Sequence, residues 1–153
     1  MHPMHAALIE AQAAASRGEV PVGAVIVEVD SGLIIVSFGN EVLSRCDPTA
    51  HAEILALRHA CMLRGRVRLP DCALYVTLEP CVMCTSAISH ARLRRLVFGC
   101  YDPKGGGVEH GPRWFDQPYC MHRPEIIGGI EEHHAMMLLR RFFQDLRETK
   151  KKT

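Results

Sequence analysis

Ala73-Leu74-Tyr75-Val76-Thr77-Leu78-Glu79-Pro80-Cys81-Val82-Met83-Cys84 is the stretch on which the reading of this chain turns. Its first five residues are apolar and rich in strand formers, so they read as a strand. Glu79-Pro80 then opens a helix that runs to about Ala91, since the fixed φ of proline suits a first turn. Cys81 and Cys84 are three residues apart, which turns both sulfurs to one helix face where they can grip a single ion. A helix N-terminus favours negative charge and helps to hold both as thiolates.

Working upstream, His51-Ala52-Glu53 lies at the start of the preceding helix, expected from Ala50 to about Arg64. Ile54, Leu55, Leu57, Cys61 and Met62 form its apolar face and Gly65 stops it. His51 supplies a third ligand to the same ion. Three protein ligands leave the fourth position of a zinc ion open to water, the pattern of a catalytic rather than a structural site. Water there ionises with a pKa of roughly 7. Glu53, two residues past His51, points elsewhere on the helix and need not ligate; its carboxyl can move protons between that water and a substrate. Each fragment alone has an ordinary reading: Cys-x-x-C fits a redox dithiol, His51 a satisfied histidine, Glu53 an exposed carboxylate. Together they match the H-x-E…P-C-x-x-C pattern of zinc-dependent nucleobase deaminases. His59, eight residues on and about 12 Å along the helix, cannot share the ion. Cys61 and Cys72 read as small buried hydrophobes, Cys46 and Cys100 as structural residues in or near loops, and His133-His134 as a solvated face.

Around this centre, residues 4–17 read as an Ala-rich helix stopped by Gly18. Gly23–Val29 and Leu33–Phe38 form a hairpin about Asp30-Ser31-Gly32. Leu96–Phe98 and Glu125–Ile127 are further strands, and residues 131–149 a final helix. Residues 101–124 form a long loop containing Gly105-Gly106-Gly107, and a loop of that length in a compact domain is usually functional or disordered. The order α-β-β-α-β-α-β-β-α predicts an α/β domain with parallel pairing at its centre and helices on both faces.

The 153 residues suit one domain, 1–153, and the 48% hydrophobic and 23% charged fractions are those of a globular protein. Net charge is only +1, so no global field advertises a nucleic-acid partner. The last fourteen residues nevertheless set six cations against two anions, a solvated end or a phosphate-binding arm. No apolar run reaches the roughly 18 residues of a membrane span, and no secretory signal pattern opens the chain. Seven cysteines, an odd number, argue against a fully paired disulfide framework and for reduced thiols in a cytoplasmic setting.

Beyond the metal motif, Glu19-Val20-Pro21-Val22-Gly23-Ala24, Asp47-Pro48-Thr49-Ala50-His51-Ala52-Glu53 and Thr77-Leu78-Glu79-Pro80-Cys81-Val82-Met83-Cys84 resemble bacterial tRNA-specific adenosine deaminases. The similarity continues through Arg95–Gly99, Asp102-Pro103-Lys104-Gly105, His122-Arg123 and Phe142-Phe143, and so covers nearly the whole chain, with residues 106–121 departing from the pattern. The resemblance implies a three-layer α/β/α cytidine-deaminase-like fold with a mixed five-stranded central sheet. It implies a homodimer that converts adenosine to inosine at the wobble position of a tRNA anticodon loop. One zinc ion per chain would sit on His51, Cys81 and Cys84, with Glu53 as the catalytic acid/base. Asn40 matches a base-contacting residue, Asp102 and Lys104 an RNA-touching loop, and Phe142 and Phe143 an aromatic pair near the RNA, against which stands their packing onto the core. The competing functions are a free-base or nucleoside deaminase acting on guanine, cytosine or cytidine, and a non-catalytic zinc-binding partner subunit. Glu53 counts against the second, and the basic tail and late Phe pair against the first.

Overall fold

The computed structural model describes residues 1–152; Thr153, the end of the basic tail, lies outside the described residues. The elements run α1 (Pro3–Ser16), β1 (Gly23–Glu28), β2 (Ile34–Gly39), α2 (Ala52–Arg64), β3 (Cys72–Leu78), α3 (Val82–His90), β4 (Arg95–Cys100), β5 (Glu125–Ile127) and α4 (Glu132–Lys151). A single 3-10 turn over Trp114–Asp116 interrupts the long loop, which sequence periodicity does not reveal.

The five strands form one mixed sheet in the order β2-β1-β3-β4-β5. β1 is antiparallel to both β2 and β3, whereas β3–β4 and β4–β5 are parallel. The parallel pairs are those bridged by a helix or long connection, as crossover geometry requires. Alternation along β1 divides the core between the two sheet faces. Ala24 and Ile26 join Leu74, Val76 and Phe98 beneath α2 and α3. Val25 and Val27 join Met4, Ala7 and Leu8 of α1 and Ala135 of α4 on the other face. This is the expected three-layer α/β/α fold.

Two helix starts differ from the sequence expectation. α2 begins at Ala52 with His51 as its N-cap, and α3 begins at Val82 with Cys81 as its N-cap, so Glu79-Pro80 precede α3 rather than open it. The reason is that the Glu79 N–H donates to Cys100 O at 2.8 Å, which prolongs the β3–β4 pairing past the end of the strand. Gly65 caps α2 at φ 64, the left-handed geometry expected of a stop residue. Met62, placed on the apolar face of α2 by periodicity, is 73% exposed, and Cys61 is only half-buried. Cys72 and Cys100 are buried, and Cys46 is exposed at φ 49. Among the described residues no helix is long and apolar enough to cross a membrane.

Candidate active site

The two N-capping residues meet. His51, at the start of α2, and Cys81, at the start of α3, leave helical geometry at extended ψ values of 150° and 173°. Cys84 follows one turn into α3. His51 Nδ1 lies 3.6 Å from Cys81 Sγ and 3.6 Å from Cys84 Sγ. The three donor atoms all lie within 4.8 Å of one another, and they are the one such cluster among the described residues. Zinc–sulfur and zinc–nitrogen bonds of about 2.3 and 2.0–2.1 Å at tetrahedral angles require an N···S edge of roughly 3.6 Å. The two N···S edges therefore match those of a zinc ion held by one nitrogen and two sulfurs.

The electrostatics are those of a prepared thiolate site. Hydrogen bonds from Cys84 and from His51 pull the Cys81 thiol down to about 4 against the opposing effect of burial. Cys84 is pushed up by its bond to Cys81 and by burial. The His51 ring is raised above its ordinary value by its bond to Cys81. Glu53 is 4% exposed, and burial lifts its carboxyl above the usual range. His59, as expected, is elsewhere: its Nδ1 bonds the carbonyl of Leu55 and its ring packs against Phe38.

A cavity of about 530 Å³ opens over this cluster, lined by His51, Glu53, Cys81, Asn40, Phe142 and Phe143, with Asp102 on its rim. Asn40 follows β2 and is 8% exposed; its backbone oxygen accepts from Arg17. Lys104 lines an adjoining groove of about 980 Å³ together with Tyr101, Arg140, Phe143 and Arg147. Asp102 and Phe143 border both spaces. The Phe142 and Phe143 rings meet edge to face at 5.3 Å, and with Phe143 41% exposed the pair borders the cavity instead of joining the buried core.

Two buried carboxylates beside the cavity were not anticipated. Glu19, 1% exposed, accepts from the amides of Leu43 and Ser44. Glu79, 2% exposed, accepts from amides of the 102–110 loop and from His110. At both, burial works to raise the carboxyl pKa and the hydrogen bonds outweigh it, leaving each below its ordinary value. The available signal was a glutamate within a short apolar run, together with a Gly-rich loop that has to approach something closely.

Residues 2–100 match the cytidine and deoxycytidylate deaminase zinc-binding region. The chain is 51% identical over 146 residues to a tRNA-specific adenosine deaminase of Agrobacterium fabrum, covering 95% of each chain. It superposes with a TM-score of 0.88 and 51% identity on a solved structure from studies of A-to-I editing by tRNA:A34 deaminases at the wobble position, covering 90% of this chain and 99% of that one. A guanine deaminase from Nitrosomonas europaea aligns with a TM-score of 0.80 at 27% identity, covering 92% of this chain and 82% of that one.

Proposed function

Because the chain belongs to the tRNA-specific adenosine deaminases, within the cytidine and deoxycytidylate deaminase zinc-binding family, we propose that it hydrolyses adenosine to inosine at the wobble position of a tRNA anticodon loop. The observation that carries this reading is the His51–Cys81–Cys84 cluster beside buried Glu53, at the floor of a cavity that opens onto a cationic groove. The groove favours RNA over a free base: Lys104, Arg140 and Arg147 have no use for a substrate that ends at the cavity.

His51, Cys81 and Cys84 would hold the zinc, with Cys81 already prepared as a thiolate. A bound zinc supplies Lewis acidity and lowers the pKa of water to about 7. Glu53 accepts a proton from the attacking water and returns protons to the purine ring nitrogen and to the departing amine. Its burial supports this role, since a carboxyl lifted above its usual range holds a proton long enough to deliver it. Asn40 and the Phe142–Phe143 pair line the cavity and would orient a base splayed out of the loop, because a base left in a stack cannot enter it. Asp102 and Lys104 would meet the flanking backbone. A homodimer acting in the cytoplasm completes the reading.

The test is incubation with an anticodon stem-loop bearing a wobble adenosine and, separately, with free adenine, guanine and cytosine. Inosine should form in the stem-loop alone, and Glu53→Ala should retain zinc while losing about 10²–10⁴-fold in turnover. Ammonia released from guanine with the stem-loop untouched would select the free-base reading.

A further inference from the structure

Glu79 sits between Leu78, at the end of β3, and Pro80-Cys81, the segment proposed to present a metal ligand, and its side chain is bonded to the loop that follows β4. Its Oε1 accepts from the amide of Asp102 at 3.1 Å and from the His110 ring at 2.8 Å. Its Oε2 accepts from the amides of Val108, Glu109 and His110 at 3.1, 3.0 and 3.2 Å. Five donors on one carboxylate exceed its roughly four lone-pair directions, so the group is saturated. The residue lines the cavity, but its side chain is fully buried and fully bonded, so that side chain holds what surrounds it.

What surrounds it is the loop that follows β4. The glycine run makes the approach possible. A Cβ on Gly106 would stand 2.2 Å from Glu79 Oε2, and one on Gly107 would stand 2.8 Å from the amide nitrogen of Val82. The Gly107 amide also donates to Pro80 O at 2.8 Å. The far end of the loop is held through Asp102, whose amide is bound to Glu79 and whose Oδ1 accepts from the amides of Lys104 and Gly105. The position of Lys104 in the cationic groove is therefore set, through Asp102, by a carboxylate on a different element.

We infer that Glu79 is a positioning residue for substrate: it clamps the 102–110 loop against the metal-ligand segment and so holds Asp102 and Lys104 where the RNA backbone meets the groove. The inference rests on the function proposed above. It assigns Glu79 a role in binding the macromolecule rather than in the chemical step, with His110 as an auxiliary clasp.

The full-length, zinc-loaded protein tests it. Glu79→Gln keeps the volume but presents an NH2 group to donors that need an acceptor. The amides of Val108, Glu109 and His110 should exchange with solvent faster, and KM for the stem-loop should rise about tenfold or more while kcat falls less than kcat/KM. Zinc content should be unchanged. The Lys104→Ala effect on KM should shrink in the Glu79→Gln background, because both act through one contact. Gly106→Ala, which crowds the loop off an intact carboxylate, should reproduce the raised KM and the faster exchange, and it carries the test if Glu79→Gln fails to fold. Protected amides with unchanged KM, loss of zinc, or fully additive Glu79 and Lys104 effects would each overturn the clamp. If the wild-type protein edits no stem-loop, the proposed function fails, and amide exchange alone still decides whether Glu79 holds the loop.

Discussion

At Cys84 the thiol is fully buried, bonded to a neighbouring thiolate and pressed upward by that charge and by burial. At Cys81, a turn earlier and half-buried, the same contacts stabilise the anion and bring the thiol to about 4. Two identical side chains three residues apart are thus pushed in opposite directions by the same contacts, and an ion that binds both as thiolates releases protons as it binds. Cys84→Ala removes the buried donor and leaves His51 and Cys81, too few for a closed set. The purified variant should carry well under half of the one zinc per chain expected of the parent, as measured by atomic absorption; full occupancy would remove Cys84 from the ligand set. Glu53 illustrates the same dependence on surroundings. On the helix surface it would be an ordinary carboxylate; burial lifts its pKa, as the proton-carrying role proposed for it requires.

Elements explain why much of this was legible and why some was not. The β1–β2 hairpin, β5 and the course of the helices follow from alternation, turn residues and glycine stops that act within a few residues. The His51–Cys81–Cys84 cluster was legible because all three residues sit in or beside a helix N-terminus, which a local pattern of His, Cys and Pro reveals. The start of α3 was not, because Glu79 is held in the sheet by Cys100, a residue twenty-one positions away. The order within residues 101–124 was equally hidden: its anchor, Glu79, lies on another element, and no periodicity reports a loop stitched by its own amides to a buried carboxylate. Periodicity also placed Met62 on the apolar face of α2, where it is 73% exposed; Leu63 and Val67 beside it are 69% and 78% exposed. These exposed apolar residues lie at and just past the end of α2, a surface for the proposed homodimer to cover. Sedimentation at micromolar concentration should show a dimer, and Met62→Asp combined with Val67→Asp should shift it to monomer. A parent protein that sediments as a monomer and still edits the stem-loop would defeat the homodimer.

Across the whole molecule, charge and connectivity take over from local pattern. α4 buries only Ala135 completely, and its last turns carry the exposed residues Arg147, Lys150 and Lys151. Arg147 also lines the groove that holds Lys104. If these cations meet phosphates, each contact should contribute a slope of about −0.7 in the log–log dependence of binding on salt. Deleting residues 147–153 should make the slope for the stem-loop shallower and raise KM, with a smaller effect on turnover at saturation. Equal slopes for the full-length and shortened proteins would refute an RNA-binding tail. Connectivity adds a second consequence. His51 and Cys81 stand 30 positions apart in the chain, at the starts of two different helices. An ion gripping both ties a polymer loop that the unfolded chain would otherwise sample freely. In the chain-entropy treatment of a cross-link, closing a loop of that length withholds about 3–4 kcal/mol of freedom from the denatured ensemble. That is a sizeable fraction of the 5–15 kcal/mol or so by which a folded domain outweighs its disordered alternatives. With zinc bound as proposed, the same side chains are also a knot in the chain, drawn tight when the ion arrives.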